Sequence, residues 1–126
     1  MARDLLTVAG VEILGPEQRT MQAALEVRSL RAELLAENVA NADTPGYASR
    51  DLRFDDALSS ILEGRQENAR QLSDSEVVGQ NLRADGNDED VNQQLAKVSE
   101  NAVKYAATLK LYSDSTARLK AASSGS

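Results

Sequence analysis

Apolar residues recur along this chain at helical rather than strand spacing, in two long runs separated by a polar middle. The first run follows Gly15-Pro16. Proline suits the first turn of a helix, and Glu17 favours its positive dipole end. The pattern predicts a helix over 16–42. At 100° per residue, Ala23, Ala24, Leu25, Val27, Leu30, Leu34, Leu35 and Val39 spread over roughly 220°. Gln22, Glu26, Ser29, Glu33 and Glu37 fill the remaining wet strip. A surface helix buries a narrower stripe, so the broad arc predicts more than one neighbour. Arg28, Arg31, Asn38 and Asn41 fall inside the arc or on its border, and the two arginines are expected to snorkel to water.

Thr44-Pro45-Gly46-Tyr47 stops this helix. Thr44 precedes proline and is driven toward extended backbone, and Pro-Gly fits the centre of a type II turn. Phe54, Leu58, Ile61 and Leu62 then share one face, which predicts a short amphipathic helix to about Glu63. Residues 64–88 are polar and glycine-punctuated. They are expected to be mobile, with a short hairpin around Val77, Val78 and Leu82. The second run is more regular. Val91, Leu95, Val98, Ala102, Tyr105, Leu109, Tyr112, Thr116 and Leu119 alternate at spacings of four and three, an a/d seam that predicts a helix over 89–122 and a left-handed helix–helix contact. Asp88, Glu89 and Asp90 at its start, and Arg118 and Lys120 near its end, suit the dipole. Ser123 to Ser126 are expected to fray.

Composition sharpens this picture. The 126 residues are 41% hydrophobic and 27% charged but only 3% aromatic. Without aromatic bulk, a thick single core is disfavoured and close helix pairing is favoured. The net charge of −6 and the absence of a basic run disfavour nucleic acid and anionic membrane surfaces. No apolar run is long enough to span a bilayer, and Met1 to Gly10 make at best a weak secretory signal. The totals alone point to the cytoplasm.

Candidate chemistry is sparse. Lacking cysteine and histidine, the chain has no thiol nucleophile, no thiolate metal site and no imidazole base. Asp51, Asp55 and Asp56 are sequence neighbours, which reads as a solvated turn rather than two carboxylates facing across a sugar. Asp85-Gly86-Asn87-Asp88-Glu89-Asp90 lacks the glycine of a calcium loop at its sixth position and, at Ala96, the glutamate at its twelfth. No catalytic, metal or cofactor-binding residue is expected. Tyr105 and Tyr112, one heptad apart, read as packing residues.

The pair Asn38 and Asn41 stands out in "ENVANADTPGY". Asparagine is a poor helix former because its amide competes for backbone groups. Two readings stay open. The pair is a fraying helix end, or its amides are buried between helices, where they fix register.

"LLAENVANADTPGYASRDLRF", Leu34 to Phe54, resembles the N-terminal signature of bacterial flagellar rod and hook proteins. That signature reads leucine–alanine–x–asparagine–aliphatic–alanine–asparagine before a threonine–proline–glycine–tyrosine turn. "DGNDEDVNQQLAKVSENAVKYAATLKLYS", Asp85 to Ser113, is similar to the C-terminal block of the same family, with Asp90-Val91, Glu100-Asn101 and Tyr105 in place. The likeness is strongest to the proximal-rod branch. Glu89, Ala48-Ser49 and the segment to Leu14 depart from the family pattern.

The resemblance implies a mainly α fold. Long N- and C-terminal helices pair as an antiparallel coiled-coil-like unit, with a short helix and a partly flexible or hairpin middle, in one domain over 1–126. It implies a structural subunit of the hollow shaft that carries torque across the periplasm. Its partners would be other rod proteins, the junction protein FliE with the membrane-ring end of the basal body, and the type III export gate, reached without a cleaved signal peptide. Helix–helix and subunit contacts are expected at Leu30, Leu34, Leu35, Asn38, Val39, Asn41, Leu95, Val98, Asn101, Ala102, Tyr105, Leu109 and Tyr112, with the turn at Thr44 to Tyr47. Phe54 and Leu58 resemble a Phe-x-x-x-apolar export signal, though plain helix packing explains them too. The alternatives are an export-associated binding module or regulator acting in the cytoplasm, and a peptidoglycan-cleaving enzyme, for which no carboxylate pair speaks.

Overall fold

A computed structural model of the chain describes residues 7–8, 11–12, 15–65, 77–79 and 91–124. The elements run β1 (Thr7–Val8), β2 (Val11–Glu12), α1 (Pro16–Ala40), β3 (Arg50–Leu52), α2 (Phe54–Leu62), β4 (Val77–Gly79) and α3 (Val91–Ser124). The expected mobility of 66–76 and 80–88, Leu82 and the acidic loop 85–90 lie outside the described residues.

Helix α1 begins where Pro16 supplies a preset φ and no lost donor. The amide oxygen of Gln18 accepts the Gly15 N–H at 3.1 Å and so satisfies an orphan donor at the helix start. The helix ends two residues before the expected Ala42. Asn41 is its C-cap, and its N–H still reaches the Glu37 carbonyl at 3.0 Å. The Tyr47 N–H then bonds the Thr44 carbonyl at 3.2 Å with Gly46 at φ +78°, a type II turn with glycine where φ must be positive.

This turn sends the chain back along α1. Leu52 and Ala57 bury against Val27 and Leu34, and Leu30, Phe54 and Ile61 close the cluster. Ala57, with no exposed surface, lets α2 lie close on α1. Strand β3 pairs antiparallel with β4, Arg50 opposite Gly79, Asp51 opposite Val78 and Leu52 opposite Val77. Of the hairpin expected around Val77, Val78 and Leu82, Leu82 lies outside the described residues. Val77 and Val78 do form a strand, but their partner lies across the chain, a choice that β-propensity does not encode.

Helices α1 and α3 pack antiparallel along most of α1: Gln18 meets Ser115, Arg28 meets Asn101 and Asn38 meets Gln94. Helix α3 runs to Ser124. Arg118 and Lys120 therefore lie short of its last turn, and Ser123 and Ser124 are helical rather than frayed.

The contact face of α3 differs from the expected a/d seam. Its buried residues are Gln94, Asn101 and Ser115, with Thr108 half-buried on the same line. Val98, Tyr105 and Tyr112 flank this line half-buried, whereas Leu95, Ala102 and Leu109 are exposed. Each buried polar residue immediately precedes an a-position residue (Leu95, Ala102 or Thr116), so the contact runs between this polar line and the d positions, a face turned by about 60° from the expected seam. The reason is complementarity. The surface of α1 that faces α3 offers Gln18, the Arg28 carbonyl and Asn38, and a polar line on α3 satisfies them where an apolar one would strand them.

Candidate functional site

Asn38 uses the full hydrogen-bonding capacity of its side chain. It is 2% exposed. Its Nδ2 donates to the Arg50 carbonyl at 2.7 Å and to Gln94 Oε1 at 3.0 Å. Its Oδ1 accepts the Arg50 N–H at 2.9 Å and the Tyr47 hydroxyl at 3.2 Å. A primary amide offers two donors and an oxygen with two lone pairs, and here all four positions are used. Asn38 thus bridges α1 to the turn, to β3 and to α3.

Asn41, one turn on, does something else. Its Nδ2 donates to the Glu37 carbonyl at 2.9 Å and its Oδ1 accepts the Thr44 hydroxyl at 3.3 Å, both at the surface. The two asparagines therefore divide the two readings between them, the first a buried bridge and the second a helix stop.

Asn101 is the counterpart on α3. It is 2% exposed, and its Nδ2 donates to the Arg28 carbonyl at 2.9 Å. Its Oδ1 accepts no hydrogen bond among the described residues. At the far end of the interface Gln18 Nε2 donates to the Ser115 hydroxyl.

The arginines do not simply snorkel, and that expectation is corrected. Arg31 forms a two-pronged pair with Asp51, Nε to Oδ1 at 2.8 Å and Nη2 to Oδ2 at 3.1 Å. Burial pushes the Asp51 carboxyl up. The Arg31 hydrogen bond, the Leu52 N–H at 2.7 Å and the charges of Arg31 and Lys97 outweigh it, so the group lies below its ordinary range. The Asp51 hydrogen bond holds the Arg31 guanidinium above its ordinary value. Arg28 lies over the Phe54 ring at 4.2 Å from its centroid. Desolvation, then the nearby Arg31 charge, lowers its pKa.

The remaining expected positions separate into three groups. Leu34 and Leu35 are buried, and Leu30, Val39, Val98, Tyr105 and Tyr112 are half-buried. Leu95, Ala102 and Leu109 form an exposed, uncharged strip along α3 beside the α1 contact. Thr44, Pro45 and Gly46 are exposed and Tyr47 half-buried. Phe54 and Leu58 are half-buried, Phe54 within the apolar cluster. Reading the sequence missed Gln18, Gln94 and Ser115. One signal could have found the last two: Gln94, Asn101, Thr108 and Ser115 repeat every seven residues as an uncharged polar line beside the apolar one.

Among the described residues no group of three or more acidic, His or Cys side chains is placed to hold a metal ion, and no helix is long and apolar enough to cross a membrane. What these residues do is align and pack the helices of the chain. No family model matches the chain. It is 35% identical over 103 residues to the flagellar basal body rod protein FlgB of Aeromonas hydrophila, covering 71% of this chain and 78% of that protein. The same protein of Salmonella typhimurium is 34% identical over 107 residues, covering 69% and 78%. That of Yersinia ruckeri is 30% identical over 113 residues, covering 74% and 82%. The chain belongs to the FlgB family of flagellar basal body rod proteins, structural subunits of the rod.

Proposed function

We propose that the chain acts as one domain, residues 1–126, in the proximal rod, where it stacks with other rod proteins into the hollow shaft that transmits torque across the periplasm. The observation that carries this reading is the strip on α3. Leu95 and Leu109 are 47% and 46% exposed although they sit in a heptad pattern. The α1 contact uses the polar line next to them and leaves the apolar line for a neighbouring subunit. A repeated contact between two different surfaces of one chain builds a helical assembly. Ala102 lets a neighbouring helix approach closely, while Leu30, Leu34, Leu35, Asn38 and Asn101 hold the pair that presents the strip.

In this reading the subunit meets FliE and the membrane-ring end of the basal body. It leaves the cell through the type III export gate without a cleaved signal peptide. Phe54 packs in the folded cluster, so the gate reads Phe54 and Leu58 in the unfolded chain. Mass spectrometry of washed, detergent-extracted basal bodies from the source bacterium tests the proposal. The chain is expected in that fraction and lost from it with the rod. Recovery only from the cytosol would overturn the proposal and leave the export-associated reading in its place.

A further inference from the structure

We propose that Asn38 is a coupling node that makes the seating of α3 and the ordering of the 47–52 arm one cooperative event. This inference concerns the fold of the subunit and stands apart from its place in the rod.

Three of the four hydrogen bonds of the Asn38 amide go to the arm, two to Arg50 and one to the Tyr47 hydroxyl; the fourth goes to Gln94 on α3. The amide is 2% exposed. Lifting the start of α3 removes the Gln94 acceptor and opens the site to water, which then competes for the Arg50 N–H and carbonyl. Releasing the arm strands the same amide beside Gln94. Each event raises the cost of keeping the other contact, because a buried polar group is expensive only while it is both dry and unpaired. Asn101 has no such role: among the described residues its amide hydrogen-bonds only α1, through the Arg28 carbonyl. Binding free energy shared through one node is reciprocal, so a change at either side is felt at the other.

The experiment is hydrogen exchange by mass spectrometry on the full-length chain, read in peptides covering 47–52 and 91–97. Gln94→Met keeps the side-chain length and removes the acceptor. It is expected to speed exchange in 47–52 about tenfold, the effect of one net hydrogen bond. Ser115→Ala removes the distant Gln18 contact and is expected to leave 47–52 unchanged. In the reciprocal direction, Tyr47→Phe leaves α3 intact and is expected to speed exchange in 91–97. This arm decides the question even where Gln94→Met does not fold. Unchanged protection of 47–52 in folded Gln94→Met, an equal effect from Ser115→Ala, unchanged protection of 91–97 in Tyr47→Phe, or no protection of 47–52 in the wild type would each overturn the proposal.

Discussion

Arg31 and Asp51 meet side by side, guanidinium to carboxylate, with Nε to Oδ1 at 2.8 Å and Nη2 to Oδ2 at 3.1 Å. They are 20 residues apart in the chain, and their side chains are 15% and 16% exposed. The pair ties β3 to the middle of α1. Paired geometry of this kind is the strong form of an ion pair, and partial burial shields it from salt.

The pair makes stability sensitive to acid. The folded Asp51 carboxyl lies below its unfolded value, so the unfolded chain binds its proton first as pH falls. The stabilisation is complete above the unfolded value of about 3.9 and is lost as pH drops through the lower folded value. Asp51→Asn is expected to cost about 1–3 kcal/mol at neutral pH, because it leaves the Arg31 charge with a weaker acceptor. Its urea midpoint should also vary less with pH below about 4 than that of wild type.

The two asparagines should differ in what they cost. Asn38→Leu strands the Arg50 N–H and carbonyl in a dry site, an expected loss of about 3 kcal/mol. Asn41→Leu removes surface bonds at a helix end, an expected loss of about 0.5–1 kcal/mol. Chemical denaturation of the single variants measures both. In the double variant, rod assembly is expected to suffer more than helix content, read by motility and circular dichroism. Normal motility there would sink the assembly role of these residues.

Gly46 isolates a backbone effect. Its φ is +78°, and a Cβ built there meets nothing within 4 Å. Gly46→Ala should therefore cost about 1–2 kcal/mol from backbone strain alone, with no repacking. A loss well above that range in thermal unfolding would mean that a neighbour crowds the turn.

The exposed strip on α3 allows stability and assembly to be tested apart. Leu95→Ser with Leu109→Ser should change the unfolding free energy of the subunit by under about 1 kcal/mol, because both side chains are already about half in water. The same double variant should fail to restore swimming in a strain that lacks the protein. Full motility would show that no neighbour uses the strip.

Local chemistry is enough to read the two long helices, the short helix at Phe54 and the stop at Thr44 to Tyr47. Pro16, Gly46 and the apolar spacing act on backbone within a few residues, and such effects are written directly in the residue order. The fold brings together what residue order leaves apart. Arg31 finds Asp51, Val77 and Val78 find β3, and Asn38 finds Gln94 only after the turn and the helix pair bring them close. The face that α3 turns to α1 is of the same kind. An apolar heptad line announces a helical partner but not which one, inside the subunit or outside it. The buried line falls on Gln94, Asn101 and Ser115 because α1 presents polar groups that must be satisfied once dry. That requirement exists only at the contact, and it leaves Leu95 and Leu109 facing outward.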